Sequence, residues 1–127
     1  MTPHFSWREF ACNCGCVAPA FIHTKAATLA MSLEALRAEV KRPVRVISGY
    51  RCTKRNAAIG GAPASRHLEG DAADVQVEGF TGRQLRDLVE GLIALGKMRE
   101  GGLGTYTSKP ATLHYDCRGT KARWHKP

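Results

Sequence analysis

The sequence predicts one α+β domain with a mostly antiparallel sheet and flanking helices. The chain has 127 residues, of which 43% are hydrophobic, and this suffices for one domain with a hydrophobic core. Two segments carry apolar residues at helical spacing, and short β-branched segments are bounded by proline or glycine. The predicted strands are few and joined by long loops, which favours antiparallel pairing.

The first third of the chain is expected to contain an irregular arm and then a helix. Residues 1–24 form the arm, which is held against the domain by aromatic side chains, namely Phe5, Trp7 and Phe10. The helix is predicted over residues 25–41, where apolar residues recur near helical spacing. Thr24 is the expected N-cap, and Pro43 marks the stop.

The remaining elements alternate between strands and one further helix. A strand is predicted at 44–47, followed by a loop at 50–66 with a helical turn near 54–58, and then a strand at Ala72–Val77. The next helix is capped by Thr81 and runs to Leu95. A glycine-rich turn at Gly101–Gly104 leads into Tyr106, and the last strand is predicted at Thr112–Cys117. The glycine run is not a phosphate-binding loop, because it lacks the Lys-Ser/Thr ending and does not open a helix.

The charge balance points to an anionic partner. The net charge is +8 with a pI of about 9.6, which suits nucleic acid, acidic lipid or an acidic cell-wall polymer. Because no zinc-finger, RNP or helix-turn-helix pattern is present, nucleic acid is not the expected partner. No apolar run is long enough to cross a membrane, and the first residues do not resemble a secretory signal. We therefore expect a monomer that is made in the cytoplasm.

Five cysteines leave several possibilities open. The run Cys12-Asn13-Cys14-Gly15-Cys16 is dense, but its spacing differs from the C-x-x-C of common structural zinc sites. A second metal, a disulfide and inert thiols all remain possible. Cys52 and Cys117 flank the two segments described next, and one hypothesis brings them close together.

Two segments carry the residues suited to metal chemistry. Asp74 lies on a predicted buried strand, where a carboxylate needs a cation or several donors, and His67 lies in the loop that leads into that strand. On the last strand, His114 and Asp116 point to the same face. If the two strands are near, two imidazoles and one carboxylate provide three ligands and leave a fourth position for water, as in catalytic zinc sites. There are two alternatives. These residues could be structural and held by hydrogen bonds, or His114 and Asp116 could form the facial triad of a non-haem iron site with His125.

The same segments resemble the zinc D-Ala-D-Ala carboxypeptidase family, which includes L-alanyl-D-glutamate endopeptidases and shares its fold with the hedgehog signalling domain. The family pattern S-x-H-x-x-G-x-A-x-D is matched at every fixed position, by Ser65, His67, Gly70, Ala72 and Asp74. The stretch from Ser48 to Arg51 is similar to the family's S-G-Y-R, and the tail Leu113–Arg118 resembles an H-V-D-x-R ending. The resemblance covers nearly the whole chain.

The resemblance implies a zinc peptidase that acts on the peptide stem of bacterial peptidoglycan. His67, Asp74 and His114 would be the zinc ligands, Arg51 would bind a substrate carboxylate, and Ser65 would orient a ligand or the substrate. It also implies a phage or prophage endolysin, which reaches the wall after release or through a holin-type export and binds anionic wall polymers through its basic surface.

The general base departs from the family pattern. Relatives place a carboxylate three residues before the last ligand or a histidine two before it, whereas this chain has Ala111 and Thr112 there. Asp116 is the expected base, although it could instead orient an imidazole, and Glu69 and Asp71 are weaker candidates. A missing base would leave a non-catalytic zinc module of the same fold.

Overall fold

A five-stranded sheet with the order β1-β2-β4-β3-β5 forms the centre of the molecule. The computed structural model describes residues Met1–Pro127, with helices and strands at α1 (Trp7–Phe10), α2 (Ala20–Val40), β1 (Arg45–Ser48), α3 (Thr53–Ala58), β2 (Ala72–Gln76), α4 (Gly82–Ala94), β3 (Gly102–Tyr106), β4 (Leu113–Asp116) and β5 (Ala122–Lys126). All neighbouring strands pair antiparallel except β5, which lies parallel to β3. The predicted α+β class with a mostly antiparallel sheet is confirmed.

One row of paired residues crosses the sheet and positions the candidate site. From β1 to β5 the row consists of Ser48, Asp74, His114, Gly104 and Trp124. Directly paired residues point to the same face, so this row lies on one side of the sheet. The adjacent pair Val75 and Leu113 is fully buried on the other side.

Helices α2 and α4 cover that second face and complete the core. The buried side chains of α2 recur every three or four residues and include Ile22, Ala26, Leu29, Leu33 and Leu36. All of these except Ile22 belong with strand residues such as Val75 to one core cluster of 20 buried residues. Each fully buried leucine stabilises the fold by about 1.5–3 kcal/mol, so this stripe fixes how the long helix lies on the sheet.

The predicted boundary between the arm and the first helix was wrong. Helix α2 begins at Ala20, after an N-cap at Pro19, so Thr24 lies inside the helix rather than at its start. The buried position Ile22 extends the apolar stripe upstream, and tertiary packing therefore adds more than one turn. The arm is also not wholly irregular, since it contains the short helix α1, whose Phe10 is buried as expected.

The second half of the chain differs from prediction in two places. The capping box that Thr81 forms with Gln84 at the start of α4 confirms the expected cap. The glycine-rich turn is instead part of strand β3, and residues 122–126, for which no element was predicted, form strand β5. Glycine weakens a strand by itself, so this strand depends on its two neighbours in the sheet.

Candidate metal centre

Three predicted ligands converge on the open face of the sheet. His67 lies in a 3₁₀ turn at Arg66–Glu69 just before β2, Asp74 lies within β2, and His114 is its direct partner on β4. His67 Nε2 is 3.4 Å from Asp74 Oδ2, and His114 Nδ1 is 3.6 Å from Asp74 Oδ1. The three residues can each offer a ligand atom within 4.8 Å of the others.

Hydrogen bonds on the far sides of both rings aim their lone pairs at this point. His67 Nδ1 donates to the carbonyl oxygen of Gly49 at 2.7 Å, and His114 Nε2 donates to Asp116 Oδ2 at 2.7 Å. Those acceptors hold one hydrogen on each ring, which leaves the opposite nitrogen of a neutral imidazole free to bind a metal. His67 Nε2 and Asp74 Oδ1 are buried without any hydrogen-bond partner. Acceptors that face one another in a dry site require a cation.

The spacing of these atoms fits zinc. With zinc–nitrogen and zinc–oxygen distances near 2.0–2.1 Å, tetrahedral geometry places two ligand atoms about 3.3 Å apart. The separations of 3.4 and 3.6 Å, measured to the two different oxygens of Asp74, lie close to that value. Two histidines and one carboxylate are also a common donor set of catalytic zinc, which keeps one position for water.

The electrostatics of the metal-free site are those of a strongly coupled cluster. Burial alone would raise the pKa of Asp74, but the neighbouring His114 and His67 rings lower it well below its usual range. For His114, burial favours the neutral ring, while Asp116 and Asp74 outweigh it and raise the pKa. Asp74 is therefore held as an anion, which is the form that binds a metal.

Asp116 occupies a position that speaks against its predicted role as general base. Its carboxylate is fully buried and accepts hydrogen bonds from His114, from the backbone of Gly102 and from the backbone and guanidinium of Arg118. Although burial opposes ionisation, Arg118 and His114 hold its pKa well below the usual range. A carboxylate that is saturated with donors and has so low a pKa is a poor proton acceptor, so the geometry favours the alternative in which Asp116 orients His114.

Arg51 and Ser65 both line the cleft beside this cluster. The Arg51 guanidinium donates to Asn56 Oδ1 at 2.9 Å and lies 4.0 Å from Asp74 Oδ2, and its Nε has no partner. It therefore retains donors for a ligand, as its predicted role requires. Ser65 caps the 3₁₀ turn, where its hydroxyl accepts from the backbone N–H of His67 at 3.2 Å, so it orients a candidate ligand.

The cleft around the cluster has a volume of about 610 Å³ and is strongly basic. Its charged lining consists of Asp74 and six cationic residues, namely Arg51, Arg55, Arg66, Lys109, Arg118 and Lys126. A cleft lined by one sign of charge concentrates ligands of the opposite sign. The arrangement suits a peptide that carries carboxylates.

The sequence interpretation missed the aromatic wall of the site. Trp124 on β5 lies 4.7 Å from the His114 ring, measured between ring centroids, and it also lines the cleft. A Cβ at Gly104 would overlap the indole, so this glycine makes room for Trp124 to reach His114. Apolar and polar residues alternate over 122–125 as they do in a strand, but this pattern does not indicate that the segment pairs with β3.

The other candidates from the sequence lie elsewhere. Glu69 is exposed and pairs with Lys25, and Asp71 pairs with Arg66. Neither carboxylate lines the cleft. The alternative iron triad is wrong, because the His125 ring hydrogen-bonds two threonines, Thr105 and Thr107, rather than joining Asp116.

A comparison with known protein families identifies the family of this chain. The family model described as Peptidase M15 matches residues 3–111. The chain belongs to the peptidase M15 family. M15 peptidases are zinc-dependent metallopeptidases, which agrees with the candidate site formed by His67 and Asp74 with His114. The family match ends before His114. The pairing of β2 with β4 in the structure places this third candidate ligand opposite Asp74. No curated protein matched the chain, and none of its helices could span a membrane.

Proposed function

We propose that this M15 peptidase hydrolyses an amide bond in the peptide stem of bacterial peptidoglycan, as a D-Ala-D-Ala carboxypeptidase or an endopeptidase. The observation that carries the proposal is the convergence of His67 Nε2 and His114 Nδ1 on the Asp74 carboxylate within a basic cleft. Stem peptides carry free carboxylates, so the charge of the cleft matches this substrate class. Zinc, when bound, lowers the pKa of a coordinated water to about 7 and polarises a substrate carbonyl.

The protein's own residues would bind and orient the substrate. Arg51 has unused donors beside Asp74 and would hold a carboxylate through its planar fork. Tyr106 lines the same cleft, and burial raises its pKa to about 12. Its hydroxyl therefore stays protonated at neutral pH and can donate to negative charge that develops on the substrate carbonyl.

Digestion of purified peptidoglycan with and without a chelator tests the proposal. We expect stem peptides to be cleaved only when zinc is present, with products identified by mass spectrometry. His67→Ala should abolish cleavage, whereas His4→Ala, which removes an exposed histidine paired with Glu34, should not. Hydrolysis that persists without metal would disprove the mechanism, and intact stem peptides under all conditions would disprove the substrate.

One observation favours a second candidate, a non-catalytic zinc module. Asp74 is the only carboxylate that lines the cleft, and His67 and His114 are its only imidazoles, so no carboxylate or imidazole outside the candidate ligand set is available as general base. Zinc bound at one equivalent in this site, together with no cleavage of any stem peptide, would support this module over the peptidase.

We further propose that the chain acts as a monomeric endolysin after release or holin-type export. The net charge of +8 supports contact with anionic wall polymers. Purified protein added to bacterial cell walls should reduce their turbidity, and high salt should weaken the effect because it screens surface charge. Turbidity that does not change would contradict the lytic role.

A further inference from the structure

Four of the five cysteines gather at one point beside the cleft, and we call them the four-cysteine cluster: Cys12, Cys14, Cys16 and Cys52. Three come from the arm and one from the residue that precedes α3. The Sγ atom of Cys12 is 3.3 Å from that of Cys14 and 3.8 Å from that of Cys52, and the last two are 3.7 Å apart. All four sulfur atoms lie within 4.8 Å of one another.

The separations of 3.7 and 3.8 Å match a single tetrahedral ion, and the Cys12–Cys14 separation of 3.3 Å is somewhat shorter. A zinc–sulfur distance of about 2.3 Å places the sulfurs of a tetrahedral tetrathiolate site about 3.8 Å apart. All five cysteines are free thiols. A cluster of several iron atoms would separate its ligands further than one ion does, so the compact arrangement favours a mononuclear site. Sulfur-only ligands select a soft or borderline ion such as zinc.

The backbone around the cluster is arranged to support charged sulfurs. The N–H of Cys52 points to Cys12 Sγ at 3.5 Å, and the N–H of Arg55 points to Cys52 Sγ at 3.4 Å. Gly15 has a φ of 79°, and its N–H donates to the carbonyl oxygen of Cys12 at 3.0 Å. This turn brings three closely spaced cysteines to one side of the loop.

The geometry points to a second zinc site: we propose that the four-cysteine cluster binds its own zinc ion, separate from the ion in the cleft. Its role is to fasten the arm to the segment that carries Arg51. The N–H of Tyr50 already donates to the carbonyl oxygen of Phe10 at 2.7 Å, and the N–H of Arg51 donates to that of His67 at 3.0 Å. A metal at Cys52 would fix the next residue and so hold the Arg51 wall of the cleft.

The fifth cysteine, Cys117, serves as a control residue for the four-cysteine cluster. It is buried near Tyr115, whose hydroxyl its thiol contacts at 3.7 Å, and it does not belong to the cluster. The hypothesis that Cys52 lies near Cys117 is wrong, because Cys52 joins the arm instead.

Metal content measured on reduced protein tests the second site. Wild type and Cys117→Ser should each contain two zinc ions per chain, the double variant Cys14→Ser/Cys16→Ser only one, and His67→Ala/His114→Ala only one. Cobalt substitution of the wild type should add the intense near-ultraviolet absorption of thiolate-to-cobalt charge transfer. The Cys14→Ser/Cys16→Ser variant should lose this absorption, whereas His67→Ala/His114→Ala should keep it.

The wild-type spectrum alone decides the question if a cysteine variant does not fold. One zinc per chain without thiolate-to-cobalt absorption would overturn the proposal, and so would an intact mass showing disulfides among the cluster cysteines. Because the cobalt signal does not depend on hydrolysis, failure of the proposed peptidase activity would leave this site standing.

Discussion

The exchange Asp116→Asn separates the two roles that the sequence allowed for this residue. The Asp116 carboxylate is fully buried; Oδ1 accepts from Gly102 N and from the backbone N and Nε of Arg118, and Oδ2 accepts from His114 Nε2 and Arg118 Nη2. Asparagine keeps one acceptor oxygen and replaces the other with a donor. The shape of the side chain is almost unchanged, so the effect comes from hydrogen-bond polarity.

The structure indicates which oxygen is lost. Oδ1 faces three donors and Oδ2 faces two, so the amide oxygen should take the Oδ1 place and leave the NH₂ against His114 Nε2. The ring then moves its hydrogen to Nδ1, which is the atom aimed at Asp74 and the metal. Loss of a hydrogen-bond partner of a metal ligand lowers affinity about 10–100-fold, which corresponds to about 1.4–2.7 kcal/mol.

Zinc affinity and hydrolysis should be measured together, by chelator competition and by peptide digestion at rising zinc concentration. We expect Asp116→Asn to weaken zinc binding and to recover activity as zinc increases. Asp87→Asn makes the same chemical change at a residue whose side chain is 72% exposed and should match wild type. Unchanged affinity with activity lost even at saturating zinc would refute this reasoning and restore Asp116 as the base.

Three further outcomes follow from the structure. Arg51→Lys keeps the charge but loses the fork, so kcat/KM on stem peptides should fall about 10–100-fold while zinc content stays constant; lost zinc would contradict a substrate role. Gly104→Ala places a methyl group where the Trp124 indole lies, so chemical denaturation should show about 1–3 kcal/mol less stability, and an unchanged midpoint would disprove the overlap. Burial raises the pKa of Cys117 to about 12, so its stabilising effect should be complete below about pH 8.5 and be lost as pH rises towards 12. Cys117→Ala should flatten that alkaline slope in denaturation curves, and parallel curves would contradict it.

The fold class and the location of the chemistry were accessible from the sequence because they depend on local patterns. Thr81 and Gln84 are three residues apart, and that capping-box spacing is a local sign of a helix start. His67 and Asp74 are near in sequence, so the short turn between them already limits their separation. The start of α2 was less accessible, because burial of Ile22 extends the helix upstream of Thr24, its expected capping residue.

The sequence by itself determined which residue types could hold a metal, and the tertiary structure decided what surrounds them. Pairing of β2 with β4 places His114 opposite Asp74, and pairing of β3 with β5 brings Trp124 onto the site across Gly104. The hydrogen bonds that Gly102 and Arg118 donate to the Asp116 carboxylate could not be predicted from the spacing of residues. Contacts between residues far apart in sequence are set by strand order and register, and these follow from burial of the whole core rather than from any one motif.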